Sequence, residues 1–333
     1  MALPALATGD RIPFSPLLPG VAAAGAVAAL AWPLGRLEPV AGAPVIALAL
    51  GIAARTSLGE RPALRPGLAF CGKYVLQAAI VILGTTLSLG EVGSVGRSTL
   101  PVLLGTLAAA FVVAAVAGRL LGVPSRLRTL VGVGTGICGA SAIAAVSGIV
   151  AATEAEIAYA VTTIFAFNLV AVLLFPPLGH LLGMSQASFG VWAGTAVNDT
   201  SSVVAAAYAY GPAAGTHAVL VKLTRTVAIL PVAGALALRH RRGGEGVRWT
   251  RIVPWFLVWF ALAAALDTAG VVPAGMHGTL QQLAVALITL ALAGVGLTTN
   301  LSSLRRAGAR PLLLGTLVWA AVAVTSLALQ ALA

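Results

Sequence analysis

Eleven long apolar runs follow one another through this chain, and they constrain it more than any other feature. Their approximate bounds are 17–34, 40–54, 67–89, 99–122, 128–150, 157–182, 187–210, 215–238, 252–268, 277–300 and 311–332. A helix needs about 20 apolar residues to cross the hydrocarbon core of a bilayer, so runs of this length read as spans and not as buried core helices. Composition agrees: of 333 residues, 59% are hydrophobic and 9% charged, with a mean hydropathy of +1.01. So few charges cannot build a water-facing surface, which excludes a soluble enzyme. Disorder demands the opposite balance. The expectation is an all-α, polytopic integral membrane protein with about eleven transmembrane helices, forming a single domain over 1–333. The first run has only Arg11 as an upstream charge and is long for a signal peptide, so it reads as a retained span. Cys71 and Cys138 both fall inside apolar runs, which implies no disulfide framework.

The basic residues test this segmentation. The N-terminal tail and the loops after the second, fourth, sixth, eighth and tenth runs hold fifteen Lys/Arg, against two (Arg36 and Arg97) on the opposite side. Cytoplasmic loops carry the excess of basic residues. The tail 1–16 and the basic loop 239–251 are therefore expected in the cytoplasm, with the C-terminus external. The net charge of +11 reflects topology and not nucleic-acid binding. Lys73, Lys222 and Arg225 remain, and all three lie within runs.

The sequence also repeats itself. Pro101–Leu107 (PVLLGTL) matches Pro311–Leu317 (PLLLGTL) at an offset of 210, and Gly84 and Leu87 match Gly294 and Leu297 at the same offset. An odd number of runs separates the two copies, so they are opposed in the bilayer, as in the inverted repeats of secondary transporters. A second likeness pairs Gly134-Thr135, Ser141 and Ala145 with Gly194-Thr195, Ser201 and Ala205. Two straight spans two runs apart would point the same way, so this likeness does not fit that repeat. It reads as two similar broken helices.

Three runs carry the chemistry. The fifth reads GVGTGICGASAIAA over 132–145, and four glycines in eight residues weaken a helix by about 1 kcal/mol each relative to alanine. A break there is tolerated in a membrane only beside protein or a polar cavity. It would leave N–H groups near the midplane, where a helix N-terminus favours an anion. Thr135, Gly136, Cys138, Gly139 and Ser141 are the candidate site residues of this run, and close helix packing is the competing reading. In the seventh run Asn198, Asp199, Thr200 and Ser201 lie roughly 18 Å deep at 1.5 Å per residue, where polar groups are costly and usually functional. Asp199 followed by Thr-Ser-Ser also reads as an N-cap. The eighth run places Lys222 and Arg225 on one helix face. At this depth they need a carboxylate, carbonyl groups or a bound anion. Asp199 is the one acid well inside a run, so one cation lacks a carboxylate partner, and that imbalance points to an anionic substrate.

Lys73 reads as snorkelling, His217 as interfacial, and Asn168 as a donor between helices. Gly294, Gly296, Thr298, Thr299 and Asn300 stay open between site and packing. The remaining histidines have no metal spacing. No phosphate-binding lysine loop and no catalytic triad spacing occurs, so neither a metal nor a cofactor is expected.

The motifs ICGASAIAA (137–145), KLTR (222–225), PWF (254–256) and GLTTNL (296–301) resemble the YeiH-type family of conserved bacterial membrane proteins in order and spacing along nearly the whole chain. That family is catalogued as sulfate exporters and is related to the bile acid–sodium symporter superfamily. The resemblance implies an all-helical inner-membrane protein with discontinuous helices. This chain has Asn198-Asp199 and Ser202 where many relatives have His-Glu and a Gln, which leaves the coupling ion and the substrate open. The expected function is a secondary transporter of a small inorganic or organic anion such as sulfate, by alternating access. Asp199 would balance charge or carry a coupling proton. A cation-coupled organic anion symporter is the alternative, with a membrane-embedded enzyme behind it. The partners admitted are a small anion, a coupling proton or sodium ion, the lipid bilayer and, as an open alternative, further copies of the chain.

Overall fold

The computed structural model describes residues 16–37, 42–59, 61–239, 254–299 and 309–332. Nearly all of the expected tail 1–16, the basic loop 239–251 beyond Arg239, Asn300, Arg305 and Arg306 lie outside the described residues. Among the described residues all regular structure is helical. Helix α1 spans Leu18–Leu37 and α2 Gly42–Leu58. The stretch Pro62–Gly84 contains α3 (Arg65–Phe70), one π-helical turn (Cys71–Val75) and α4 (Leu76–Gly84). Then follow α5 (Leu89–Leu120), α6 (Ser125–Gly136), α7 (Ala140–Ser147), α8 (Glu154–Leu181), α9 (Gln186–Ala196), α10 (Thr200–Tyr210), α11 (Pro212–Val227) and α12 (Ile229–Arg239). The last three are α13 (Trp255–Thr268), α14 (His277–Thr298) and α15 (Ala309–Ala331).

Seven stretches are long and apolar enough to cross a membrane by length and composition, namely Leu18–Gly35, Pro62–Gly84, Leu89–Leu120, Glu154–Leu181, Pro212–Arg239, His277–Thr298 and Arg310–Ala331. Two shorter apolar helices, α2 and α13, accompany them. The chain is a polytopic membrane protein. Polar caps set the entry of two of its long helices. Ser88 accepts from Glu91 N while Glu91 accepts from Ser88 N, and Thr153 and Glu156 repeat the arrangement at α8. Each such box satisfies two of the orphan donors at a helix start.

The fifth and seventh apolar runs are discontinuous, as their glycine and polar content predicts. They do not run straight through, however, and here the structure departs from the expected spans. A Cβ built on Gly134 in α6 would stand 2.9 Å from Ile143 Cδ1 in α7. Nine residues of straight helix would separate these positions by about 13 Å, so α7 folds back along α6. The same is true of α9 and α10. Gln186, at the start of α9, accepts from Ala213 N and Ala214 N just past the end of α10, and Phe189 stacks on Tyr210 at 3.9 Å between centroids. Each run is therefore a helical hairpin that returns to the side it came from.

The two hairpins point toward each other along α8. Asp199 meets Asn168 of α8 and Tyr210 meets Gly179, eleven residues on in both segments, so α10 runs parallel to α8 toward its C-terminal end. The first hairpin lies at the other end: Gly134 and Gly139 both approach Ile164, in the first half of α8. Helix α12 packs against α7 of this hairpin, and Val232 and Arg239 line one cavity together with Val133 and Ser125. The likeness between Gly134-Thr135 and Gly194-Thr195 is thus one design used twice, and a full crossing by α8 between the copies inverts the second.

Four buried clusters hold the helices. The largest joins α5–α12 and α15, with Trp192 stacked on Phe175 at 4.0 Å. A second joins α2, α4, α10, α11, α13 and α14. Helices α2 and α14 approach backbone to backbone at Gly51 and Gly296, whose added Cβ atoms would lie about 3 Å from the opposing Cα. Gly294 likewise meets Cys71 and Leu68, so the glycines of the tenth run serve packing.

Candidate functional site

The hairpin tips meet. Gly139 is the N-cap of α7, with φ +70° and ψ −131° and no side-chain cap, and Asp199 is the N-cap of α10. A side chain on Gly139 would be strained in this conformation. Its Cβ would lie 3.4 Å from Asp199 Cβ and 3.5 Å from the Asn198 carbonyl carbon. Two half-helix N-termini therefore diverge from a common point, and both bring positive dipole ends to it.

The C-terminal ends of α6 and α9 reach the same level, and helix α11 holds them. Lys222 Nζ donates to the carbonyls of Ile137 and Val197, each at 2.9 Å. Arg225 Nε donates to the Gly136 carbonyl at 2.6 Å and Nη2 to the Thr135 carbonyl at 2.9 Å. The carbonyls of Val133 and Gly134 are taken by the amides of Ile137 and Gly139. Every carbonyl from 133 to 137 is thus satisfied, as a helix end buried away from water requires. Both cations are fully buried or nearly so, at 0% and 2% exposure.

Of the partners such cations need, carbonyl groups are the ones supplied, and neither cation has a carboxylate partner. Neither Lys222 nor Arg225 forms an ion pair, and the one ion pair resolved among the described residues joins His277 to Asp267. The carbonyls and the negative ends of the α6 and α9 dipoles offset the charge instead, and such a terminus stabilises a cation by up to ~2 kcal/mol in partly buried sites. The compensation is incomplete in one respect. Arg225 Nη1 is buried without a hydrogen-bond partner, and so is Asn198 Oδ1.

Asp199 is enclosed by donors. Ser201 Oγ at 2.5 Å and Ser202 N at 3.0 Å bond Oδ1, while Ser202 Oγ at 2.6 Å and Asn168 Nδ2 bond Oδ2. Asn168 Oδ1 in turn accepts from Asn198 N at 2.9 Å. Four hydrogen bonds from three residues thus hold the Asp199 carboxyl group in place.

The sequence candidates take different parts in this arrangement. Thr135 and Gly136 take part through their carbonyls, Gly139 through its turn, and Asn198 through its amide and free oxygen. Cys138 is buried beside Lys222 and Arg225, with its sulfur in reach of Ala142 N–H. Thr200 opens α10, whereas Ser141, the second residue of α7, is exposed. Among the residues not singled out, Ser202 binds Asp199, and Trp319 of α15 donates to the Ala196 carbonyl at 3.1 Å. Asn168 is central where sequence reading made it a simple donor; its mid-run position was the available signal. His217 packs on Gly190, and Lys73 lies over the Tyr74 ring at 5.1 Å, both away from the tips.

Comparison with known proteins follows this geometry. The profile of a family described as conserved hypothetical protein 698 matches residues 19–315. A UPF0324 membrane protein of Streptococcus pyogenes serotype M6 is 41% identical over 326 residues, covering 94% of this chain and 96% of its own length. Another from Streptococcus agalactiae serotype V is 38% identical over 330 residues (96% and 98%), and one from Streptococcus pneumoniae strain R6 is 39% identical over 323 residues (94% and 96%). No solved structure matches. The resemblance carried by ICGASAIAA, KLTR and GLTTNL is borne out at the level of the family. The chain belongs to the conserved hypothetical protein 698 family, the UPF0324 membrane proteins.

Proposed function

We propose that this protein is a secondary transporter of a small anion, with sulfate the first candidate, working by alternating access across the inner membrane. The observation that carries the reading is the pair of spare polar atoms at the hairpin tips. Arg225 Nη1 offers a donor and Asn198 Oδ1 an acceptor, both buried, within a site whose other polar groups are satisfied. Unpaired buried polar groups are costly and call for a partner. A guanidinium edge beside the uncapped N-terminus of α7 suits an oxoanion. An acceptor next to Asp199 suits a coupling proton or sodium ion. Broken helices meeting at the midplane are how many secondary transporters build such sites.

The topology fits this mechanism. With two re-entrant hairpins there are nine crossings, and the basic residues still divide fifteen to two, because the loops that change sides carry none. The N-terminus is cytoplasmic and the C-terminus external in this reading. The first hairpin enters from the cytoplasm and the second from outside, so their touching tips form a barrier that either hairpin can open. No enzymatic activity is proposed. A cation-coupled organic anion symporter is the second reading, favoured by the acceptor cluster at Asn198 and Asp199.

Counterflow tests the proposal. Proteoliposomes loaded with unlabelled sulfate should accumulate labelled sulfate saturably, and empty liposomes should not. Absence of counterflow for sulfate, phosphate, thiosulfate and small carboxylates, from protein that remains folded, would overturn it.

A further inference from the structure

A cavity of about 460 Å³ opens between α5, α6 and α12, at the end of the molecule opposite the second hairpin. Its rim carries Arg119, Arg128 and Arg239 from three different helices, with Ser125 among them, and among the described residues no carboxylate lines it. None of the three arginines is in an ion pair among the described residues. The stem of Arg128 lies flat on α5 at Gly118, where a Cβ would overlap it, so the absence of a side chain there lets this arginine converge on the others. Helix α6 begins at the same rim after Pro124, without a side-chain cap. Its first N–H groups therefore add to the positive field.

Away from the rim the lining becomes apolar. Phe111 lies eight residues, about 12 Å, along α5 from Arg119, and Val133 and Val232 face the same space from α6 and α12. A soluble anion has no use for this part. A molecule with a phosphate at one end and a hydrocarbon chain at the other fits both, and basic pockets between spans on the cytoplasmic side are suited to anionic headgroups. We infer that this groove is a binding site for one anionic phospholipid, with the headgroup phosphate on Arg119, Arg128 and Arg239 and an acyl chain laid along Phe111, Val133 and Val232. Because α6 and α12 form two of its walls and α6 ends at Arg225, the lipid would brace the first hairpin from its open side. The site is independent of what the hairpin tips carry.

The test is native mass spectrometry and thermal unfolding of the full chain in nanodiscs of phosphatidylglycerol or phosphatidylcholine. The wild type should retain phosphatidylglycerol and unfold at a higher temperature in it. Each of Arg119→Gln, Arg128→Gln and Arg239→Gln should lower retention about fivefold, the equivalent of ~1 kcal/mol per cation near an anionic surface. Arg61→Gln, a change at an exposed arginine away from the groove, should leave it unchanged. Ala115→Trp, which fills the groove and keeps every charge, should also lose the lipid, and it decides the matter where an arginine variant fails to fold. Equal retention in wild type and groove variants, or an equal loss from Arg61→Gln, would overturn the inference. So would full stabilisation by inorganic phosphate in phosphatidylcholine nanodiscs, which would make the groove a soluble-anion site.

Discussion

Gly139 and Asp199 are the N-caps of two half-helices that leave a common point in opposite directions, and a Cβ on the glycine would stand 3.4 Å from that of the aspartate. The space tolerates a methyl group, but the backbone does not, because φ is +70° at Gly139. Gly139→Ala should therefore cost roughly 1–3 kcal/mol through conformation alone. Gly139→Leu should abolish transport as well, by wedging the tips apart. Thermal unfolding of purified protein and vesicle flux, measured on both variants, check this. Wild-type stability in Gly139→Ala would contradict the turn.

Lys222 and Arg225 act first as caps on α6 and α9. Lys222→Met should leave the Ile137 and Val197 carbonyls unpaired, at about 1–3 kcal/mol for each buried group stranded. The loss should show as a large drop in unfolding temperature whether or not any anion is present. Arg225→Lys should keep the charge but satisfy at most one of the two carbonyls in the fork geometry, and so weaken anion-dependent stabilisation more than it weakens the apo protein. An anion-induced shift in unfolding temperature equal to that of the wild type would remove Arg225 from the binding site.

Asp199 and Arg225 make no ion pair, so their effects should add. A cycle of Asp199→Asn, Arg225→Gln and the double variant should show a stability coupling within about 0.5 kcal/mol of zero, the range for independent sites. An unpaired buried charge is the costly state that a second mutation can relieve. Rescue of either stability or transport in the double variant would reveal a direct pairing and contradict the hydrogen-bond assignment of both residues.

Much of this was legible in the residues. The apolar runs, the breaks near Ile137–Ala140 and at Asn198-Asp199, and the role of Asp199 as an N-cap followed from length, glycine density and the Asp-Thr-Ser-Ser order. The path of the chain after each break was not. A break states that the helix stops, and whether the next half continues or returns depends on contacts such as Gly134 with Ile143, which lie outside any local pattern. For the same reason, the depth of Lys222 calls for a carboxylate, carbonyls or an anion but does not choose among them. A carboxylate can be counted in a sequence, whereas a carbonyl freed by a distant helix end cannot. Asn168 was visible as a polar residue at mid-run, but its link to Asp199 depends on α10 lying parallel to α8.

The geometry of the two hairpins is the centre of this account, and the sidedness of four positions measures it directly. With Cys71 and Cys138 replaced by alanine, single cysteines would be placed at Arg126 and Ala155, flanking the first hairpin, and at Ala187 and Ala213, flanking the second; all four sites are exposed. A membrane-impermeant maleimide is then applied to intact cells and to inverted vesicles. The account predicts that 126 and 155 label from the cytoplasmic side only, and 187 and 213 from the outside only. Labelling of 126 and 155 from opposite sides, or of 187 and 213 from opposite sides, would mean that these segments cross the membrane and would contradict it.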